Sequence, residues 1–314
     1  MKKFIILFLK FIIFTTIFYC SALLLSEIYL PQYLRPNLIS KRVYGHMSLR
    51  TKEVKNIKNV DILFLGSSHT YRGFDTRIFK KIGLNTFNLG SSSQTHIQTK
   101  VLLSRYLETL NPKTIIYEVY PRVFQSDGLE SSLDIIMNDE NDLNSFKMAL
   151  EINNIKTYNT FIYRFTYDLL NLNNSFTKPI INGYDKYVSG GYVEKEISFF
   201  KPTLFKRKKI VLNPNQLKYF SENVEMIKSK NIKLILVYAP ISKVEYKSYT
   251  NINYFDNLMD GYSNYFNFNE IICLNDSLHF YDSTHLNQNG VEIFNKRLIK
   301  LLNKNNVQQS ALIK

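Results

Sequence analysis

The feature that most constrains the fold is an apolar segment that stops at a glycine and two serines. Residues 60–65 are apolar except for Asp61, and Gly66, Ser67 and Ser68 follow them. Such a run is typical of a buried strand, and small polar residues after it favour a helix start. The pattern predicts a hydroxyl at the carboxyl edge of a parallel sheet, where open α/β folds bind ligands. Either serine could be the exposed one, and helix N-capping alone is the alternative role.

A second polar segment lies near the end of the chain. Asp282 precedes His285 by three residues, in a polar turn that leads into a last amphipathic helix. A histidine with a nearby carboxylate can act as a general base whose ring is oriented by that carboxylate. Together with a serine after the first strand, the pair predicts a catalytic triad in the chain order Ser, Asp, His.

These segments resemble the sequence blocks of the SGNH (GDSL-type) hydrolases and acyltransferases. Gly66-Ser67-Ser68 is similar to the Gly-Asp-Ser block, with Ser67 in place of the aspartate. Residues 282–285 are similar to the closing Asp-x-x-His block, and residues 85–90 resemble the second block. The resemblance covers the chain from about residue 60 to residue 285, with a poorly matched middle.

The resemblance assigns a role to each matching residue. It implies that Ser68 is the nucleophile, His285 the base and Asp282 its partner. The backbone amides of Ser68 and Gly90 are the implied oxyanion hole. His69, which directly follows the nucleophile, could contact substrate.

One block of the family is missing. An asparagine of a Gly-x-Asn-Asp block should follow the third strand, whereas Tyr120, Pro121 and Arg122 follow residues 114–119 here. Loss of one oxyanion donor can cost about 2.7–4 kcal/mol of transition-state stabilisation. Membrane-anchored relatives in cell-envelope acylation also depart from this block, so its absence does not remove the chain from the superfamily.

The resemblance implies a function and leaves two others open. The expected function is a serine-dependent esterase or transferase that moves O-acyl groups, acetyl first among them, on a cell-envelope or extracellular polysaccharide. Its partners would be the acylated polysaccharide or an acyl donor, and other envelope assembly proteins. One alternative is a catalytically silent module that binds glycan or partner proteins, and the other is an esterase of membrane lipids.

The amino-terminal segment predicts a membrane anchor. Residues 4–26 are apolar except for Lys10, and as a helix they would span roughly 34 Å, enough to cross a bilayer. Lys2 and Lys3 before the span favour an amino terminus in the cytoplasm. We therefore expect an uncleaved signal anchor over residues 1–27 and a catalytic domain on the extracytoplasmic side. A cleaved signal peptide and a buried core helix are the alternatives.

The remaining chain predicts one catalytic domain behind a linker. Residues 28–59 are the expected linker, and residues 60–314 are the expected domain. This domain contains an expected insertion at about 123–212. The insertion could serve as a lid or substrate platform, or it could be a helical subdomain without a role in binding. Strands separated by helices indicate a three-layer α/β/α, doubly wound parallel sheet. The predicted strands are residues 60–65, 86–89, 114–119, 233–239 and 270–274, and the predicted helices include residues 74–82, 95–110 and 214–230, the last after Asn213 as N-cap.

Composition excludes several classes of function. The formal net charge is +14, but no nucleic-acid recognition motif accompanies it, so envelope polymers and lipid head groups are the expected polyanions. The basic run 206–209 could touch either, or simply be a solvated surface.

No helical metal-ligand pair occurs among the candidate zinc ligands His69, His96, His279 and His285, so we expect neither metal nor cofactor. Thr70 replaces the last glycine of the Gly-x-Ser-x-Gly elbow, which disfavours an α/β-hydrolase.

Overall fold

The computed structural model describes residues 1–35, 37–38, 45–172 and 179–312. The described residues fall into two units, one within the ranges 1–43 and 132–177 and the other within 44–131 and 178–314. Parts of the predicted linker (residues 36 and 39–44) and of the predicted insertion (residues 173–178) lie outside the described residues. The boundaries of anchor, linker and insertion remain predictions.

The larger unit contains a parallel sheet of five strands and a small antiparallel sheet. The strand order is β2-β1-β3-β7-β8 in the first sheet and β4-β5-β6 in the second. The strands are β1 (Ile62–Leu65), β2 (Thr86–Asn88), β3 (Thr114–Glu118), β4 (Ile181–Asn182), β5 (Asp185–Val188), β6 (Tyr192–Lys195), β7 (Lys233–Tyr238) and β8 (Asn264–Asn267).

Helices connect the strands and account for most of the remaining described residues. They are α1 (Lys2–Tyr29), α2 (Met47–Val54), α3 (Ser68–Gly73), α4 (Thr76–Lys80), α5 (His96–Leu110), α6 (Leu129–Asn138), α7 (Leu143–Ile152), α8 (Ile155–Leu169), α9 (Pro214–Ser229), α10 (Lys243–Tyr246), α11 (Ile252–Tyr262), α12 (Phe268–Ile271), α13 (Asp276–His279) and α14 (Gln288–Leu312). Short 3₁₀ turns occupy Gln32–Leu34 and Pro121–Phe124.

Helices cover both faces of the parallel sheet because successive strand residues point to opposite sides. On one face, the Phe64 ring of β1 lies 4.7 Å from Phe74, within a core that also contains residues of α14. On the other face, the Tyr117 ring of β3 lies 5.5 Å from Phe220 of α9. The predicted three-layer α/β/α architecture with a parallel sheet is confirmed.

Side-chain caps begin two of the helices, and the one at Asn213 was predicted. Thr95 and Gln98 form a reciprocal capping box at the start of α5. Asn213 caps α9, where its side chain accepts a hydrogen bond from Asn215 N and Pro214 occupies the first helical position. Both helices pack on the same side of the sheet, so these local signals help to fix one of its layers.

The fifth strand lies earlier in the chain than predicted. The strand is Asn264–Asn267, whereas the predicted segment 270–274 begins inside α12. The prediction was wrong because Asn267 caps a helical turn, its side chain accepting from Asn269 N at 3.1 Å. Cys273, which falls within the predicted segment 270–274, is exposed.

In the smaller unit, α1 is the one helix among the described residues that is long and apolar enough to cross a membrane. Its 28 residues would extend about 42 Å at 1.5 Å per residue. Helix α8 packs against it, and the Tyr19 hydroxyl donates to Asn159 Oδ1 at 2.5 Å. The orientation of this helix in a membrane stays a prediction.

Candidate active site

The turn after β1 requires a glycine. Gly66 has a φ of +136°, and a Cβ there would lie 2.4 Å from Thr70 Oγ1 and 2.9 Å from Glu118 Cβ. After this turn, Ser67 caps α3, since its Oγ accepts from His69 N at 3.4 Å. Ser67 is buried, whereas Ser68 begins the helix and is half-buried. The structure therefore separates two serines that spacing alone left equivalent.

Ser68, His285 and Asp282 are brought together in a hydrogen-bonded array, in which His285 contacts both of the others. Ser68 Oγ lies 2.8 Å from His285 Nε2, although 217 positions separate the two residues. His285 Nδ1 lies 2.9 Å from Asp282 Oδ2. Asp282 Oδ1 also accepts the backbone amides of Thr284 and His285, each at 2.8 Å. These amide bonds explain why a spacing of three residues aims the carboxylate at the imidazole.

The surroundings keep Asp282 ionised and hold the His285 ring. Burial acts to raise the pKa of Asp282, but the hydrogen bond from His285, the electrostatic attraction of its ring and the two amide bonds lower it well below its usual range. The His285 ring stacks between two others, His69 with centroids 4.7 Å away and Tyr281 at 5.4 Å. An ionised carboxylate at Nδ1 leaves the Nε2 lone pair facing Ser68.

A second group of hydrogen-bonded polar side chains, Ser67, Glu118 and His69, lies beside the catalytic array. The sequence did not predict this group. The Ser67 hydroxyl donates to Glu118 Oε2 at 3.3 Å, and Ser67 Oγ is 3.2 Å from His69 Nδ1. Burial raises the pKa of Glu118 to about 8, only partly offset by hydrogen bonds from Ser67. Burial, then the charge of His285, lower the pKa of His69 well below its ordinary value. Near neutral pH the side chains of this second group are therefore largely uncharged.

Glu118 should make folding stability depend on pH. Because its folded pKa of about 8 exceeds its unfolded value of 4.5, the stability it contributes is present below pH 4.5 and lost as pH rises toward and through 8. The total change is up to about 5 kcal/mol. We expect Glu118→Gln to flatten this dependence in urea unfolding of the full chain in detergent, followed by tyrosine fluorescence. If the free energy of unfolding changes with pH equally in the wild type and in the variant, Glu118 is not the source of the dependence.

A cavity of about 410 Å³ opens at the catalytic array. Hydroxyl groups dominate its lining, and Arg122 is the one residue with a permanent charge among the described residues that line it. The lining residues are Ser67, Ser68, His69, Ser93, Tyr120, Arg122, Val123, Gln125, Ser126, Thr284 and His285. Tyr120 and Arg122 follow β3, the place where the family pattern carries its asparagine. That position was the signal that could have identified them as site residues.

The two predicted oxyanion donors differ in the structure. The amide of Ser68 has no hydrogen-bond partner within the described ranges of the chain. The amide of Gly90 donates to Asn88 Oδ1 at 3.1 Å, so it is engaged inside the protein. Gly90 nevertheless sits close under the site, because a Cβ there would lie 2.9 Å from Ser67 O. To act in the predicted oxyanion hole, the Gly90 amide must release Asn88 Oδ1 and donate its hydrogen bond to the oxyanion instead.

The other candidate residues lie elsewhere. His96 begins α5 and is buried, with Nδ1 2.7 Å from Tyr117 Oη and a pKa lowered by burial to about 3. His279 Nδ1 accepts from Asn275 N at 2.9 Å. Among the described residues, no group of three or more His, Cys, Asp or Glu side chains could hold a metal ion. Cys20 and Cys273 are both free thiols.

Comparison with known proteins identified similar solved structures only. No family model and no curated protein matches the chain. One similar structure is a "putative acylhydrolase" from Bacteroides fragilis, at 12% identity and TM-score 0.43, covering 84% of this chain and 99% of that one. Another is a GDSL-like lipase from Bacteroides thetaiotaomicron, at 12% identity and TM-score 0.44, covering 83% and 98%. With TM-scores below 0.5 and 12% identity, these similarities assign no activity to this chain.

Proposed function

We propose that the chain is a serine-dependent O-acyl esterase or transferase, with acetyl as the expected acyl group. The observation that carries this proposal is the 2.8 Å contact between Ser68 Oγ and His285 Nε2, continued by the 2.9 Å contact to Asp282. A hydroxyl, an imidazole and an ionised carboxylate in this order form an activated nucleophile.

The geometry supports a two-step mechanism. His285 Nε2 takes the Ser68 proton while Oγ attacks the ester carbonyl, and Asp282 stabilises the resulting imidazolium. The free Ser68 amide can donate to the oxyanion. His285 then protonates the departing alcohol, which leaves an acyl group on Ser68. Water or a sugar hydroxyl, deprotonated by His285, attacks this ester in the second step and releases Ser68.

The proposed substrate is an acylated polysaccharide of the cell envelope or the extracellular space. The cavity supports it because hydroxyl side chains such as Ser93, Ser126 and Thr284 can exchange hydrogen bonds with sugar hydroxyls. The apolar helix α1 supports attachment to a membrane, and we propose that the larger unit lies on the extracytoplasmic side. His69 takes part by stacking on His285, which makes it a positioning residue for the base.

A catalytically silent binding module is the second candidate. Two observations favour it: the Gly90 amide is engaged by Asn88, and Tyr120 and Arg122 stand where the family has an asparagine donor. With one free amide donor, transition-state stabilisation could fall short by about 2.7–4 kcal/mol. Such a module should keep its ligand affinity when Ser68 is replaced by alanine.

Acetate release distinguishes the two candidates. The full chain in detergent would be incubated with acetylated xylan and acetylated pectin, and released acetate measured with and without unacetylated oligosaccharide acceptors. We expect release or transfer that disappears in Ser68→Ala and persists in the matched variant Ser126→Ala, which alters another cavity serine. Activity that survives in Ser68→Ala would contradict the proposed enzyme.

A further inference from the structure

Arg122 is a cation that the proposed mechanism leaves unused. Its side chain is exposed, lines the catalytic cavity and makes no ion pair with any residue that the structure describes. Among the described residues that line the same cavity, none has an acidic side chain that could pair with the guanidinium. An unpaired arginine in a hydroxyl-lined cavity is suited to a carboxylate or phosphate, which it can bind with two parallel hydrogen bonds.

A basic segment continues outward from this arginine. Gln125 N donates to Arg122 O at 3.0 Å, and Gln125 Nε2 donates to Lys209 O at 3.5 Å. Because Gln125 lines the cavity, the backbone at Lys209 lies next to a cavity residue. Its backbone is fixed against residues 248–250, where Lys208 N donates to Ser248 O at 2.9 Å. The run is therefore held next to the site, a contact that the sequence could not reveal.

Three of the four cations in the run are available to a ligand. Lys208 pairs with Glu245, and its ammonium lies 4.6 Å from the Tyr249 ring centroid. Lys206, Arg207 and Lys209 are exposed and have no carboxylate partner in the described part of the chain. These three cations and Arg122, which lines the cavity, are called the basic strip below.

We propose that this basic strip, Arg122 with Lys206, Arg207 and Lys209, binds an acidic polysaccharide and holds its acylated residue at Ser68. The inference rests on the proposed function in its choice of site, since it names the substrate class of the same cavity. Arg122 contacts the carboxylate or phosphate of the sugar nearest the ester, and the other three cations contact charges further along the polymer. Because a polymer presents charges at regular intervals, a strip of cations matches it better than it matches one small anion.

Direct binding tests this inference without requiring catalysis. The full chain carrying Ser68→Ala, in detergent, would be titrated against fluorescein-labelled oligogalacturonate, with labelled maltooligosaccharide of similar length as the neutral probe. We expect the acidic probe to bind more tightly and its affinity to fall between about 0.05 and 0.5 M salt as charges are screened. Arg122→Gln should weaken binding about tenfold or more, as expected for loss of a charged hydrogen bond.

Matched charge variants separate a strip from general attraction to a basic protein. Replacing Lys206, Arg207 and Lys209 by glutamine should weaken binding of the acidic probe at least fivefold. Replacing Lys81, Arg297 and Lys300, exposed cations that do not line the cavity, removes the same charge and should change affinity less than twofold. Equal losses in both triple variants, or equal affinity for the two probes, would overturn the inference.

Two further outcomes distinguish this inference from the proposed function and from lipid binding. Strip-dependent binding of oligogalacturonate by a chain that never releases acetate would uphold the inference while the proposed enzyme fails. Acetate release from neutral xylan with no strip-dependent binding would do the reverse. Vesicles of phosphatidylglycerol are the third probe, and strip-dependent binding to them but not to oligogalacturonate would overturn the polysaccharide assignment.

Discussion

Replacing His285 with alanine is expected to lower kcat for p-nitrophenyl acetate by roughly 10⁴-fold or more. His285 Nε2 is the group within hydrogen-bond distance of Ser68 Oγ, so its removal leaves a hydroxyl with a pKa far above neutral. Ser68→Ala should cause a loss of similar size. KM should change little in either variant, because both changes act mainly on the reaction step rather than on substrate binding.

The double variant provides the sharper test of a shared mechanism. Residues that act as one catalytic unit are strongly non-additive, so Ser68→Ala with His285→Ala should be no slower than either single variant. Steady-state rates would be measured on the full chain in detergent, with Ser126→Ala as the matched control. Losses that multiply in the double variant would show that the two residues act independently.

Replacing Gly66 with alanine is expected to cost at least about 3 kcal/mol of folding stability. The φ of +136° strains any L side chain, and the new Cβ would lie 2.4 Å from Thr70 Oγ1 and 3.0 Å from the backbone oxygen of Glu118. The turn cannot relax without moving β1 away from β3, its hydrogen-bonded neighbour. A loss of this size is a large part of the 5–15 kcal/mol typical of a folded protein.

A second glycine with positive φ isolates the effect of the collision. Gly83 has a φ of +80°, and a Cβ added there would have no atom within 4 Å, so Gly83→Ala should cost only about 1 kcal/mol. Both variants would be compared by urea unfolding of the full chain. Similar midpoints for the two variants would mean that backbone strain, rather than close approach of β3, accounts for the glycine at position 66.

The sequence predicted the central strands because their signals are local and strong. Residues of β1, β3 and β7 are almost entirely apolar, as expected for strands buried on both faces. The edge strand β8 was missed, since its sequence Asn-Tyr-Phe-Asn is half polar and only its last residue is buried. The small sheet formed by β4, β5 and β6 was also missed, because β5 (Asp-Lys-Tyr-Val) and β6 (Tyr-Val-Glu-Lys) lack the alternation of apolar and polar residues that indicates a strand.

Within the site, the sequence indicated which residues form the catalytic array, but it did not indicate the hydrogen bonds around them. Ser68, Asp282 and His285 could be found because each lies in a short motif. The engagement of the Gly90 amide by Asn88 could not be predicted, since the same two residues would be present in either arrangement. The burial of Glu118 beneath Ser67 likewise depends on how β3 packs beside β1. Such contacts arise from the tertiary fold and leave no spacing pattern in the chain.

The most direct test of the central claim is covalent labelling of the full chain with a fluorophosphonate, read by intact mass and peptide mapping. We expect a single adduct on Ser68 that is absent from Ser68→Ala and from His285→Ala, and that still forms in Ser126→Ala. This result would establish a serine activated by His285. An adduct on Ser67, or no adduct on a protein shown to be folded, would contradict the proposed nucleophile.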